Sequence, residues 1–258
     1  MKYAFNPLAR VAPIALSGAL LLSPALAAAS PDLGASQGLV NWQTAGDVAI
    51  LSGAVLGLEL GPQATFVLGT AIVGDADDAG YAPGAFNLSG LDPVGAGQSP
   101  AVEDPLALPQ GSFGPDATEG SSMAQTITVA AGDTLSFQWR LATRTPAAIL
   151  GSEADAAWFS VASGSGTSLV KLGAIDNLSL VGNASGWLDS GWRSFTWTAS
   201  QAGTLTIGLA VTDQSGFTDT SWLAVRSMAI TTSVPEPSTW ALALMGLGLA
   251  AVARRRQP

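Results

Sequence analysis

Apolar and polar residues alternate along the second half of the chain. From Thr134 to Leu141, Leu135, Phe137, Trp139 and Leu141 fall on one face, and Ser136, Gln138 and Arg140 on the other. Thr204 to Val211 repeats the pattern, with Leu205, Ile207, Leu209 and Val211 opposite Thr204, Thr206 and Gly208. Successive side chains of a strand point to opposite faces, so this period of two predicts half-buried strands. Further strands are predicted over residues 123–130, 156–162, 168–172, 192–198 and 222–230. Ala131-Gly132-Asp133, Ser163-Gly164-Ser165-Gly166 and Gln201-Ala202-Gly203 separate them as turns. The N-terminal part is less regular, with strands expected over 39–43, 47–51 and 65–73. Residues 74–120 are rich in Gly, Pro and Asp and show little periodicity. A stretch that long without structure is unusual inside a compact domain, and the strands before it are too few to close a core alone. It is expected as a surface excursion on one domain. The prediction is an all-β fold: a single antiparallel β-sandwich or jelly roll over residues 28–233.

Both ends of the chain break this pattern. Lys2 and Arg10 precede an apolar stretch from Val11 to Leu22, then Ser23-Pro24 and Ala25-Leu26-Ala27-Ala28-Ala29. A basic start, a short apolar run and small residues at A-x-A spacing describe a secretory signal helix over residues 1–27. Cleavage is expected after Ala27, with Ala25 at the other small position and a cut after Ala29 as the alternative. The competing reading, an N-terminal membrane anchor, is disfavoured by the shortness of the run. The other end reads Val234-Pro235-Glu236-Pro237-Ser238-Thr239, an apolar run from Trp240 to Ala253, and Arg254-Arg255-Arg256. Fourteen helical residues cover about 21 Å at the usual rise, short of the ~30 Å hydrocarbon core. Counting from Pro235 and letting the arginines snorkel closes the gap. A transmembrane helix is expected there. The arginines keep the tail cytoplasmic and leave the body across the membrane.

Composition changes the picture mainly by exclusion. The chain has no cysteine and no histidine. Disulfides, thiolate chemistry, zinc-thiolate sites and histidine triads are therefore impossible, and an apolar core must hold the fold. Between Ala28 and Ser233 the sequence carries five basic residues (Arg140, Arg144, Lys171, Arg193, Arg226) against eighteen acidic ones, a formal charge of −13. A field of that sign repels phosphate backbones, so nucleic acid is not expected as a partner.

The C-terminal triplet Pro235-Glu236-Pro237, its short apolar helix and its arginine tail resemble the PEP-CTERM sorting signal of Gram-negative bacteria that make exopolysaccharide. The resemblance implies processing near the Pro-Glu-Pro motif by an exosortase, a membrane-embedded transpeptidase-like enzyme. Residues 234–258 would then be a transient anchor. The precursor would sit in the inner membrane with its body in the periplasm, after cleavage by signal peptidase. The mature form would reach the cell surface or the extracellular space. In the body, Asp47-Val48, Asp77-Asp78, Asn87-Leu88-Ser89-Gly90, Glu119-Gly120-Ser121, Ala131-Gly132-Asp133-Thr134-Leu135-Ser136-Phe137 and Ser190-Gly191-Trp192 resemble one group of PEP-CTERM exported proteins. Their bodies look like jelly rolls of the galactose-binding type, which implies fold and export and assigns no activity. That group often has an acidic residue after the Leu-Ser-Phe strand and another in the last strand, where this chain has Gln138 and Arg226.

Candidate chemistry in the body is sparse. Asp75, Asp77 and Asp78 in a Gly-rich loop are the best candidates for binding calcium, which takes several oxygen ligands, against the plain alternative of an acidic surface turn. Asp213 and Asp219 flanking Gly216 form a second, weaker pair. No other cofactor is expected. Of the tryptophans, Trp187 and Trp192 stand beside glycines and are the candidates for stacking on sugar rings, while Trp139 belongs to the core face. Three Asn-x-Ser triplets begin at Asn87, Asn177 and Asn183, without consequence in a bacterium. An enzyme would have to work with carboxylates alone, as glycosidases do, and no motif points there. The expected role is structural or adhesive in the envelope or biofilm matrix. The alternatives are a carbohydrate-binding module for exopolysaccharide and, remotely, a carboxylate glycosidase.

Overall fold

Two antiparallel sheets pack face to face in the computed structural model, which describes residues 32–76, 78–144, 154–214 and 219–233, and residue 246 alone beyond them. The signal region with Ala25 and Ala27, the candidate ligand Asp77, and the tail with Pro235, Glu236, Pro237 and Arg254 to Arg256 lie outside the described residues. The first sheet orders its main strands as β1 (Gln43–Ala45), β5 (Ala117–Val129), β12 (Gly203–Gln214), β7 (Ala156–Ser163) and β8 (Gly166–Ala174). The short β4 (Val94–Gly95) pairs with β5. The second runs β2 (Asp47–Val55), β3 (Leu58–Gly69), β13 (Ser221–Thr231), β6 (Thr134–Thr143), β10 (Leu188–Asp189) and β9 (Val181–Gly182), with β11 (Arg193–Thr198) also on β6. The alternating faces behave as the sequence predicts: Leu135, Phe137, Trp139 and Leu141 are buried between the sheets with Phe159, Ile207, Leu209 and Val211. With no disulfide, this burial carries the fold, at roughly 1.5–3 kcal/mol for each large apolar side chain.

The N-terminal strands differ from expectation. Residues 38–41 form a turn and β1 starts only at Gln43. The strand expected over 65–73 begins earlier, at Leu58, and stops at Gly69. Its first part is hidden in the sequence by Gly61 and Pro62, where the β2–β3 pairing shifts register near Gly53 and Gly61 and both glycines take positive φ. The irregular stretch is no simple surface excursion. Val102, Leu106 and Phe113 join the main core, Leu106 lying against Gly208 and Phe113 against the ring of Trp158. Phe86 joins a second, smaller core on the other sheet. Buried Glu103 organises the stretch by accepting the backbone N–H groups of Gly97 and Gly111. Its apolar residues lack a period because they hang from turns, so pattern alone does not reveal their burial.

Register places most of the long strand ends at one of two poles. At one pole lie the turns 130–133, 163–166 and 199–203 and the exit of β13 toward Ser233. At the other lie Asp47, Gly69, Glu119, Thr143, Asp155, Asp213 and Ser221.

Candidate functional site

At the pole where β13 ends, the described turn residues are small and uncharged and surround the carboxylate of Asp133. Asp133 closes the turn between β5 and β6 by accepting the N–H of Ala130 at 2.8 Å, and it accepts the N–H of Ser233 at 2.9 Å. Those backbone donors hold its carboxyl below the ordinary carboxylate range. The Ser233 hydroxyl donates in turn to the carbonyl of Ala131. Gly132 and Asp133 also exchange backbone bonds with Ala199, each at 2.8 Å. The root of the C-terminal tail is thus tied to the turn that begins the 199–203 segment.

That segment and the β7–β8 hairpin enclose a groove of about 600 Å³. Val161, Leu205 and the half-buried indole of Trp197 form its apolar part, and residues 163–168 and 200–204 supply hydroxyls, one amide and exposed backbone. No described residue lining it is charged. The walls are braced. Ser163 Oγ accepts the N–H of Ser165 and donates to the carbonyl of Gly166. Trp197 packs on Phe159 at 6.4 Å between ring centres. Sequence reasoning missed Trp197, because on β11 it continues the inward face of Phe195 and reads as core. Its position beside the edge strand of the other sheet leaves it half open.

The opposite pole gathers the acids. Asp155 and Asp213 are buried and hydrogen-bonded to each other. Ser221 Oγ donates to Asp155, as does the N–H of Gln214. Burial raises both carboxyls, and the charge of Asp155 and of Glu119, directly across the ladder, raises Asp213 further. The pair therefore holds a proton well above the ordinary carboxylate range. Burial also raises Asp47, whose oxygens accept the N–H groups of Leu88 and Ser89. Ser121 links the N–H of Asp47 to the carbonyl of Gly69. Asn87 bonds Ala71 and Leu91, and the carbonyl of Val211 lies where a Cβ on Gly120 would go. The short motifs that carry the body's resemblance to exported proteins are mostly joints of this pole.

The structure separates the residues singled out by sequence. Asp78 turns inward, paired with Arg144 Nε at 3.1 Å and accepting the Thr220 hydroxyl at 2.7 Å, while Asp75 is exposed. Among the described residues no group of three or more Asp or Glu is placed to hold a metal ion. Trp187 is a correction: it is fully buried, stacks with Trp222 at 4.7 Å, and donates its indole N–H to the carbonyl of Leu56. Gly186 beside it takes positive φ in a tight turn under the β2–β3 hairpin. No face is left for a sugar. Trp192 is half-buried, and the guanidinium of Arg226 covers its ring at 3.8 Å. Arg226 Nε is held by Gln138 at 3.0 Å, so the two residues that replace the acids usual in that group of exported proteins are bonded to each other. Asn183 likewise serves the fold, donating to the carbonyl of Gly57.

Among curated proteins none matches the sequence. Solved structures align over most of the body at low identity. TmCBM61 in complex with β-1,4-galactotriose has 10% identity over 78% of this chain and 94% of its own, with a TM-score of 0.38. The K3 adhesin domain of Lys-gingipain from Porphyromonas gingivalis has 14% identity over 78% and 97%, also at 0.38. The N-terminal cellulose-binding domain of Cellulomonas fimi β-1,4-glucanase C has 11% identity over 75% and 90%, at 0.30. Scores this low carry no functional argument. The tail is different: residues 233–257 match the family described as the PEP-CTERM protein-sorting motif, beginning at the serine that Asp133 pins. The chain is therefore an exported surface protein, sorted through a membrane-anchored precursor that an exosortase processes.

Proposed function

We propose that the precursor loses residues 1–27 to signal peptidase and is then held in the inner membrane by the helix over 240–253, with the sandwich in the periplasm. Cleavage near Pro235-Glu236-Pro237 hands the body to the cell surface or extracellular matrix, where it acts as a structural or adhesive component. One observation carries this reading. The last strand ends at Thr231 and the chain is pinned at Ser233, where the sorting motif starts. All the described core strands precede the motif, so removal of the tail takes none of their contacts away. Glu236 is the proposed recognition carboxylate, and Arg254 to Arg256 set orientation. Glu236→Ala, or deletion of residues 254–256, should leave full-length precursor in the inner-membrane fraction. Such a variant reaching the surface at the normal mass would end the proposal.

A second reading has its own observation. The groove at the tail pole combines a half-open indole with hydroxyls, a combination suited to carbohydrate. Binding rather than catalysis is the inference. Among the described residues the groove has no carboxylate, and the hydrogen-bonded acids Asp155 and Asp213 are buried rather than lining a cleft.

A further inference from the structure

We infer that the groove between the β7–β8 hairpin and residues 199–205 is a binding site for an uncharged polysaccharide chain, located at the root of the sorting tail. The inference rests on the carbohydrate-binding reading and adds the site and the ligand class. Sugar rings present apolar C–H faces and a rim of hydroxyls. Proteins meet the first with an aromatic ring and the second with hydroxyl, amide and backbone groups. Trp197 and Leu205 provide the first kind of surface, and Ser168, Ser200, Gln201 and Thr204 the second.

Charge decides the ligand class. A uronate or phosphate chain calls for Arg or Lys in the site, since charge-assisted pairs are the ones that repay desolvation of an anion. The groove offers none, and it sits on a body of formal charge −13, which repels polyanions. An uncharged chain meets neither obstacle. The groove is also preformed. Ser163 braces the hairpin tip, and Ala199 is locked to Gly132 and Asp133 by two backbone bonds, so little order has to be created on binding. Because Asp133 also pins Ser233, the site lies at the pole where the anchor leaves the body. Cleavage of the tail then frees the pole that carries the groove.

Affinity electrophoresis of the exported protein tests this, with gels containing mixed-linkage β-glucan or galactomannan as uncharged probes and alginate as the anionic one. Retardation is expected in at least one uncharged gel and not in alginate. Trp197→Ala should weaken it at least tenfold. Since Trp197 also packs on Phe159, Ser168→Glu provides a variant at an exposed position that charges the groove without touching the core, and it should abolish retardation at unchanged melting temperature. Retardation that survives both substitutions overturns the groove as the site and leaves the carbohydrate reading standing. Retardation in alginate alone overturns the ligand class. No retardation in any gel overturns the reading itself.

Discussion

The two poles of the sandwich are made of opposite materials. The pole at the tail has, among the described residues, short turns of Ala, Gly, Ser and Gln around the carboxylate of Asp133, which accepts the backbone N–H groups of Ala130 and Ser233 and is held below the ordinary carboxylate range by them. The far pole holds Asp47, Asp78, Glu119, Asp155 and Asp213 in or near the core, with Arg144 as the cation bonded to Asp78. Five acids on that side would destabilise a fold that left them unpaired. Asp47 is held by the backbone donors of Leu88 and Ser89, Asp78 by Arg144 and the Thr220 hydroxyl, and Asp155 and Asp213 by Ser221, the N–H of Gln214 and each other. The difference teaches where the molecule spends its polar chemistry. The far pole uses it to fasten strands to one another, and the tail pole leaves its surface free.

Arg144→Ala tests the far pole and has the largest expected effect. It strips the cation from buried Asp78, releases the carbonyl of Ser185, and removes the guanidinium stacked near Tyr81, Phe86 and Trp187. Breaking a buried pair from one side costs about 3–5 kcal/mol, readable by urea unfolding. A loss below ~1 kcal/mol would mean that the pole tolerates open charge.

Asp213→Asn comes next, and its sign is opposite. A carboxyl whose folded pKa is raised keeps its proton while the unfolded chain has released it, so native stability falls as pH rises above ~4. Asparagine removes the share of that slope due to Asp213 and leaves the share due to buried Asp155. The variant should gain stability relative to the parent as pH rises from about 4 to 8, and the two should be closest near pH 3. Thermal melts across this range read the crossover.

Asp133→Ala is the smallest of the three, on the order of 1 kcal/mol for the turn bonds lost. Its pH sense reverses that of Asp213. A lowered carboxyl contributes above its unfolded pKa and loses that contribution as pH falls through the folded value, so parent and variant should converge in strong acid. If Asp133→Ala and Asp213→Asn showed the same pH trend, the contrast between the poles would be wrong.

Sequence made the central strands legible because their two faces meet different media. Leu135, Phe137 and Trp139 face the opposing sheet, while Ser136 and Gln138 do not. It also made the sorting tail legible, because motif, apolar run and arginines occur in order. It misread elements whose surroundings come from distant segments. Trp187 stands beside Gly186 and looks exposed until the β2–β3 hairpin and Phe86 close over it. Asp78 looks like a loop acid until Arg144 and Thr220, 66 and 142 residues away, are brought to it. Asp155 immediately precedes β7 and Asp213 lies in β12, and only the antiparallel pairing of those strands makes them neighbours. The groove was invisible for the same reason: its two walls are turns some forty residues apart, and neither contains a motif.

The sorting account is tested most directly by the intact mass of the exported protein. The prediction is a chain whose C-terminus lies close to Pro235-Glu236-Pro237, lacking residues 240–258. A soluble extracellular molecule that still carries Arg254, Arg255 and Arg256 would contradict it.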